Sequence, residues 1–390
     1  MRNRIRYSAL SALILFAFSC SDQPTGLRTP PTEPSLARGG GKVNSIAVSP
    51  TAATLAVGQT LQLTAAASPP KSATTFIWSS SNPAVATVNA NGLVTAVANG
   101  TATVSATAGG KTGTAAITVS TPTNDPVFVG AGDIASCSSS GDEATAALLD
   151  GIAGTVYTLG DNVYDNGTAT EYTNCYGPSW GRHKARTMPS PGNHEYNTAN
   201  ATGYFGYFGA AAGDPAKGYY SFNLGEWHII VLNSNLSCAV ISCAAGSLQE
   251  QWLVADLAAN ARVCTLAYWH HPRFNSGAGH GNNTAVAPFW DALYAAGADV
   301  ILNGHEHVYE RFAPQTPSAA ANDVNGIRQF TVGTGGRSHY TFAATQPNSE
   351  VREGNTFGVL KLTLKATSYD WQFIPVSGAT FTDSGSGTCH

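Results

Sequence analysis

Residues 127 to 159 contain two short apolar runs separated by a helical pattern. Val127–Ala131 and Thr155–Leu159 each fit a buried strand, and residues 141 to 152 between them fit a helix. A strand, a helix and a second strand in this order form a β-α-β unit, in which the strands are parallel and the crossover is right-handed. The unit predicts an α/β sheet, and such sheets bind ligands at the carboxyl ends of their strands.

The same alternation continues towards the end of the chain. Leu248–Ala259 is apolar at Leu248, Trp252, Leu253 and Leu257, and the run from Val286 to Tyr294 has apolar residues at helical spacing. Predicted strands alternate with these helices and then follow one another: Val263–Trp269, Asp299–Leu302, Phe330–Val332, Phe357–Leu364 and Tyr369–Ile374. Residues 126–390 are therefore predicted to form one α/β domain that ends in consecutive strands.

Residues 44–120 have a different pattern of short alternating strands, with Trp78 in the middle of one of them and no cysteine or histidine. They are predicted to form a small all-β sandwich. The run from Ser79 to Val88, followed by Gly92–Ala96, resembles the group 2 bacterial immunoglobulin-like domain. The resemblance implies a spacer or a module that contacts a cell surface or polysaccharide.

The N-terminus predicts export. Arg2, Arg4 and Arg6 precede the apolar run Ala9–Phe18, which is too short to span a bilayer and is typical of a signal peptide over residues 1–20. Residues 21–43 are rich in Pro, Thr and Gly and predict a flexible tether. Two outcomes stay open: a lipid anchor on Cys20, giving a cell-surface lipoprotein, or cleavage and release into the periplasm or medium.

Composition excludes some partners. The formal net charge is −4 and charged residues are 11% of the 390. We therefore expect no nucleic-acid-binding surface and no polybasic membrane anchor. Beyond Cys20 the chain has six cysteines, which in an exported protein predict disulfides with 15 possible pairings. Cys238 and Cys243 enclose a short loop and are the pair most readily predicted.

Acidic, amide and imidazole side chains follow the ends of the predicted strands. They occur in five places: Asp133, Asp161, Asn193 with His194, His270 with His271, and His305 with His307. A glycine precedes four of these five groups and lets the backbone turn sharply. Because the ends of parallel strands meet at one edge, these groups are predicted to converge, and together they suit iron, zinc or manganese.

The motifs resemble the calcineurin-like metallophosphoesterases. The chain has, in the family's order, Gly-Asp, Gly-Asp-x-x-Tyr, Gly-Asn-His-Glu, a strand-end histidine and Gly-His-x-His. Tyr164 and the run His307–Arg311 are similar to the purple acid phosphatase branch. The similarity extends from about residue 127 to 375, and it implies a four-layer αββα sandwich with two mixed sheets.

The resemblance also implies a dinuclear metal centre. Asp133, Tyr164 and His307 would hold Fe(III), while Asn193, His270 and His305 would hold a divalent zinc, manganese or iron ion. Asp161 would bridge both ions. In this family a metal-bound hydroxide attacks the phosphorus in line, so no serine or cysteine nucleophile is needed.

Two further histidines are candidates for contact with substrate. His194 matches a family histidine that donates to the phosphate or leaving group, and His280 lies where plant members have a histidine pair. His280 is a single histidine among glycines, so a mobile loop without a role is the alternative. His271 could replace His270, although strand alternation places only one of them on the metal side. Glu195 and Arg311 are predicted to order the loops.

The sequence therefore predicts an exported phosphatase acting on small phosphate monoesters. A phosphodiesterase or nucleotidase using the same metals is the alternative. An adhesin with a degenerate enzyme domain belongs to a different class, and it is disfavoured because all seven predicted metal ligands are present.

Overall fold

A computed structural model describes residues 42–70, 72–120 and 125–390. The chain divides into two compact units, Met1–Pro122 and Thr123–His390. The predicted signal peptide, Cys20 and all but the last two residues of the predicted tether lie outside the described residues. No helix in the described ranges is long and apolar enough to cross a membrane.

The N-terminal unit is built from strands that alternate between buried and exposed residues. In Lys111–Val119, for example, Ala115, Ile117 and Val119 are buried and the residues between them are exposed. Pairing gives sheets of two, four and three strands. The strands are Ser45–Ser49, Ala52–Leu55, Thr60–Gln62, Thr64–Ser68, Ile77–Ser80, Ala86–Val88, Leu93–Ala96, Gly100–Ala108 and Lys111–Val119. Trp78 is partly buried against this core.

The C-terminal unit contains two large mixed sheets. One has six strands, in spatial order Thr187–Ser190, Thr155–Leu159, Val127–Ala131, Gly358–Leu364, Ser368–Pro375 and Asp383–Thr388. The other has seven, in the order Tyr220–Leu224, Trp227–Val231, Cys264–Tyr268, Val300–Asn303, Arg328–Val332, Tyr309–Phe312 and Ser349–Glu353. Ala135–Ser136 and Val163–Tyr164 pair separately. The predicted α/β architecture with two mixed sheets is confirmed.

Aromatic side chains fill the space between the two sheets. Phe128 and Tyr157 of the six-stranded sheet lie 5.8 and 6.0 Å, ring centre to ring centre, from Tyr268 of the seven-stranded sheet. Tyr309 and Phe373 pair in the same way at 4.7 Å. Buried aromatic rings supply large apolar areas, so this layer holds the sheets together and fixes their strand ends relative to each other.

Helices cover the sheets. They are Gly141–Asp150, Ala169–Glu171, Thr202–Phe208, Leu248–Ala259 and Ala287–Ala295, with shorter 3₁₀ and π segments between them. Leu253 and Leu257 pack against the seven-stranded sheet. Leu248, an apolar residue of the predicted helix, is 82% exposed, whereas Gln249 beside it is buried. Ser247 caps this helix, so Leu248 is its first residue.

Three disulfides join cysteines within the C-terminal unit. Cys238 pairs with Cys243, as predicted, and the other pairs are Cys137–Cys175 and Cys264–Cys389. The last of these ties the end of the chain to the strand Cys264–Tyr268.

Candidate metal centre

The predicted ligands meet where the strands end. Asp133 and Asp161 follow the parallel strands Val127–Ala131 and Thr155–Leu159 of one sheet. Asp133 and Asp161 have positive φ angles of 59° and 47°, and His305, at the facing end of the other sheet, has 70°. Such backbone conformations are uncommon for residues other than glycine and recur at functional sites, where the surrounding structure imposes them.

Tyr164 is the centre of the first group of ligands. Its hydroxyl lies 2.9 Å from Asp133 Oδ1, 3.1 Å from Asp161 Oδ2 and 3.1 Å from His307 Nε2. The hydroxyl can donate only one hydrogen bond at a time, so several electron-rich atoms surround one proton. The structure thus brings together Asp133, Tyr164 and His307, with Asp161 beside them.

His270 is the centre of the second group. Its Nε2 lies 3.1 Å from Asn193 Oδ1, 3.2 Å from His305 Nδ1 and 3.2 Å from Asp161 Oδ2. Candidate ligand atoms of Asp161, His270 and His305 all lie within 4.8 Å of one another. One oxygen of Asp161 therefore contacts both groups.

Neighbouring groups fix the orientation of two of the imidazoles. His270 Nδ1 lies 2.7 Å from the carbonyl oxygen of Leu159, which can only accept a hydrogen bond. In its neutral form His270 therefore directs an unprotonated Nε2 into the site. His307 Nδ1 similarly contacts Ser338 Oγ at 2.7 Å, which leaves Nε2 facing Tyr164. Metal-binding histidines have this arrangement, with the outer nitrogen held by an oxygen of the protein.

The electrostatics of the site favour a cation between the two groups. Burial opposes a charge on His270, but Asp161 outweighs it and raises the pKa of His270 to about 9. Burial, followed by the charges of Asp133 and Asp161, raises the pKa of Tyr164 well above its usual range. Burial and the nearby His271 and His270 lower the pKa of His305, which is neutral and able to bind a cation through a lone pair.

This donor set fits two metal ions. Two carboxylates, three imidazoles, a phenol and an amide oxygen converge on a small volume at the sheet edges. Buried carboxylates need compensating positive charge, and a metal ion supplies it. Hard and borderline ions such as iron, zinc and manganese accept this mixture of oxygen and nitrogen ligands.

Glu195 connects two of the loops that carry ligands. It is fully buried and accepts hydrogen bonds from the backbone N–H groups of Asp161, Asn162 and Gly192. Burial, followed by the charge of Asp161, raises the pKa of Glu195. As predicted from the sequence, Glu195 lies where it orders the loops and does not line the open side of the site.

His194 and His280 contact different ligands of the site. The ring of His194 is 4.3 Å from that of Tyr164, and its Nδ1 lies 2.6 Å from the carbonyl oxygen of Asp165. The ring of His280 stacks on His305 at 3.9 Å. Both therefore border the predicted ligands, with His194 next to the first group and His280 next to the second.

His271 also lies close to the site. Its Nδ1 contacts Ser234 Oγ at 2.8 Å, and its ring lies 4.2 Å from that of His305. Burial and the charge of His270 lower the pKa of His271 well below its usual range. His271 is thus a neutral imidazole packed behind the second group of ligands.

Sequence reasoning missed three residues at the site. Glu306 accepts hydrogen bonds from the backbone N–H of Gly279 and of His280, and so anchors the loop on which His280 lies. Tyr340 stacks on His307 at 4.2 Å, and Ser338 contacts the same histidine. Ser338 and Tyr340 lie several residues beyond the end of strand Arg328–Val332 and in no recognised motif, so the strand-end argument used for the ligands did not indicate them.

Models of protein families divide the chain at the same place as the structure. Residues 42–119 match the bacterial Ig-like domain (group 2), and residues 127–309 match the calcineurin-like phosphoesterase family. The C-terminal unit is a calcineurin-like phosphoesterase domain. The resemblances predicted from the motifs are therefore confirmed for both units.

Purple acid phosphatases of Arabidopsis thaliana are among the relatives of the phosphoesterase domain. Purple acid phosphatase 15 is 29% identical over 182 residues, which are 38% of this chain and 33% of that protein. Purple acid phosphatase 18 is 32% identical over 130 residues, 32% of this chain and 28% of that protein. The chain thus spans about a third of the length of these relatives.

Solved structures share the fold. Purple acid phosphatase PPD1 from yellow lupin (Lupinus luteus) seeds has a TM-score of 0.54 at 17% identity, covering 85% of this chain and 68% of its own. GAP50 of Plasmodium has a TM-score of 0.52 at 12% identity, covering 68% of this chain and 89% of its own. At such identities these likenesses support the architecture of the phosphoesterase domain alone.

Proposed function

We propose that this protein is an exported phosphatase that hydrolyses phosphate monoesters with the help of two metal ions. The observation that carries the proposal is the position of Asp161. One of its carboxylate oxygens lies 3.1 Å from the Tyr164 hydroxyl and 3.2 Å from His270 Nε2. A carboxylate between two complete groups of ligands is suited to bridge two cations.

The contacts divide the ligands between the ions. Asp133, Tyr164 and His307 would hold the first ion, for which we propose Fe(III). Asn193, His270 and His305 would hold the second, a divalent zinc, manganese or iron ion. When bound, the two ions would supply Lewis acidity towards the phosphoryl oxygens and make water a better nucleophile at neutral pH.

We propose that His194 donates a proton to the leaving group. Asp165 holds Nδ1 of this histidine through its backbone carbonyl, and Nε2 lies 3.9 Å from Asp161 Oδ2. As a proton donor, His194 would present an N–H on Nε2 at the edge of the site, beside Asp161. Donation to the ester oxygen as the bond to phosphorus breaks is general acid catalysis.

His280 is a second histidine that borders the predicted metal ligands. Its side chain is 41% exposed, and Nδ1 lies 3.4 Å from Glu306 Oε2. A cleft of about 350 Å³ adjoins it, lined also by His305, Asn282 and Asn283. We propose that this cleft receives part of a small ester substrate, which His280 contacts there.

A substrate panel tests the proposed function. Full-length protein should hydrolyse p-nitrophenyl phosphate faster than bis-p-nitrophenyl phosphate. Rates with nucleotides as substrates should be measured on the same protein. Removal of metal with a chelator should abolish turnover, and iron with zinc or manganese should restore it, with the metal content measured on the same samples. Preference for the diester would indicate a phosphodiesterase, and absence of turnover by metal-loaded protein would refute both.

We also propose export, with contact to a cell surface or polysaccharide through the Ig-like domain. The three disulfides support an oxidising compartment, because such bonds are rare in the reducing cytosol. Fractionation of the native host, with lipid labelling of Cys20, would distinguish a lipoprotein from a released protein. Protein found reduced in the cytosol would refute export.

A further inference from the structure

The segment that follows strand Arg328–Val332 forms one side of the candidate metal centre. The backbone N–H of Arg337 donates to the carbonyl oxygen of Asp133 at 3.0 Å. The next residue, Ser338, contacts His307 Nδ1 at 2.7 Å. The backbone of Arg337 is therefore fixed relative to two of the ligands of the proposed first ion, although the residue itself belongs to none of the recognised motifs.

The guanidinium of Arg337 lies over the ring of Tyr164, with its central carbon 5.0 Å from the ring centre. His194 contacts the same ring at 4.3 Å. Both side chains are also attached to Asp165: Arg337 Nη2 to its carboxylate at 3.2 Å, and His194 Nδ1 to its carbonyl oxygen at 2.6 Å. Arg337 and the proposed proton donor thus share one side of the site.

The ion pair between Arg337 and Asp165 holds the charge of Arg337 only weakly. Asp165, its partner, is 69% exposed, and exposed ion pairs stabilise a protein by only about 0–1 kcal/mol. The side chain of Arg337 is 29% exposed, and its Nε is buried without a hydrogen-bond partner in the described part of the chain. A guanidinium has five N–H donors and pairs with two oxygens of a phosphate at once.

We propose that Arg337 is a specificity-determining residue that binds the phosphate of the substrate and favours monoesters over diesters. The proposal rests on the function proposed above and addresses the choice that the metal ligands leave open. At neutral pH a phosphate monoester carries nearly two negative charges, whereas a diester carries one. Because Coulomb attraction is proportional to charge, a cation beside the site stabilises the bound monoester about twice as strongly.

Arg337→Gln and Arg337→Lys test the proposal, with p-nitrophenyl phosphate and bis-p-nitrophenyl phosphate as substrates. Arg337→Gln should raise KM for the monoester roughly tenfold to a hundredfold, as expected for loss of a charge-assisted hydrogen bond. KM for the diester should rise several-fold less, and kcat should change less than KM. Arg337→Lys should recover part of the monoester affinity, because it restores the charge without the paired donors.

Binding of inorganic phosphate gives a readout that does not need turnover. Isothermal titration of metal-loaded protein should show weaker phosphate binding by Arg337→Gln, by a factor similar to the rise in KM. Arg182→Gln is the matched control, since Arg182 also pairs with an exposed aspartate, Asp150, but lies outside the site. That control should bind phosphate as the wild type does.

The outcomes separate this inference from the proposed function. Equal losses for both esters, unchanged phosphate affinity, or a fall in metal content that accounts for the loss would each overturn the role of Arg337. If the wild type hydrolysed neither ester, the proposed function would fail. The phosphate titration of Arg337→Gln would still decide whether Arg337 binds phosphate.

Discussion

The carboxylate of Glu195 accepts a hydrogen bond from the backbone N–H of Asp161 at 3.0 Å. Further bonds come from the N–H of Asn162 at 2.9 Å, the N–H of Gly192 at 2.6 Å and the hydroxyl of Tyr172 at 3.0 Å. Hydrogen-bond donors surround both carboxylate oxygens of Glu195, so each oxygen has to act as an acceptor. The side chain thereby fixes the loop of the proposed bridging ligand to the loop of Asn193.

Glu195→Gln tests this connection. The amide would place an NH₂ group against backbone N–H donors, and we expect a loss of about 1–3 kcal/mol in the free energy of unfolding. Metal affinity should fall about 10- to 100-fold, as for other changes behind metal ligands. Denaturant unfolding and metal analysis after dialysis against a chelator would measure both.

Glu226→Gln is the control for this substitution. Glu226 is 69% exposed and pairs with Arg262 on the surface, so the same chemical change should leave stability and metal content unaltered. Equal behaviour of the two variants would show that Glu195 does not order the site.

Tyr164→Phe tests the proposed Fe(III) ligand. A phenolate bound to Fe(III) absorbs visible light, so the wild type loaded with iron should be coloured and the variant bleached. The three remaining donors around the lost hydroxyl, Asp133, Asp161 and His307, should retain part of the metal and of the activity. Visible spectra recorded beside metal analysis would measure this. A colourless and iron-free but fully active wild type would contradict the assignment.

Local rules were sufficient for the ligands that directly follow strands. Asp133 and Asp161 could be predicted because parallel strands end at the same edge, and each is preceded by a glycine. Glycine is also required where the backbone of one loop passes close to a ligand side chain: a Cβ at Gly304 would lie 2.8 Å from Asp133 Oδ2. These features are encoded within a few residues and can be recognised in the sequence.

Features that depend on distant parts of the chain could not be derived in this way. Tyr164 and His307 are 143 residues apart and meet only because two sheets pack face to face, so their association was predicted from family resemblance alone. Cysteine positions likewise do not determine pairing, and Cys264 bonds Cys389 across 125 residues. Arg337 was missed because four residues separate it from the end of its strand.

Asp142→Asn tests the pH dependence of stability. Burial raises the pKa of Asp142 from its ordinary value of 3.8 to about 7, although a hydrogen bond from Ser179 opposes the shift. Its Oδ1 is buried without a hydrogen-bond partner in the described ranges, as suits a protonated carboxyl. Between these pH values the folded state binds a proton that the unfolded state lacks. The stability that this group contributes is therefore present below pH 4 and lost as pH rises through 7.

An asparagine at this position has nearly the same shape and no titrating proton. Compared with the wild type, Asp142→Asn should gain in relative stability as pH rises from 4 to 7, with a slope of at most about 1.4 kcal/mol per pH unit. Denaturant unfolding of both proteins at intervals across this range would measure it. Parallel stability curves would show that Asp142 is ionised in the folded protein.

Glu306 lies between two proposed ligands in the sequence, His305 and His307, and anchors the loop of His280. It is fully buried and accepts hydrogen bonds from the side chain of Asn275 at 2.8 Å, the N–H of Gly279 at 2.6 Å and the N–H of His280 at 2.9 Å. Burial alone would raise the pKa of Glu306, but the hydrogen bonds from His280, Gly279 and Asn275 outweigh it and lower the pKa. The loop is thus held by a carboxylate in its charged form.

If Glu306 acts through His280, their substitutions should not be additive. Glu306→Gln and His280→Ala should each lower kcat/KM by at least about tenfold, the smaller end of what positioned proton donors contribute. The double variant should then be little worse than either single one, since a misplaced His280 has no further activity to lose. Metal content must stay at the wild-type level in all three variants, because Glu306 also adjoins His305 and His307. Additive losses with full metal content would mean that Glu306 and His280 act independently in catalysis.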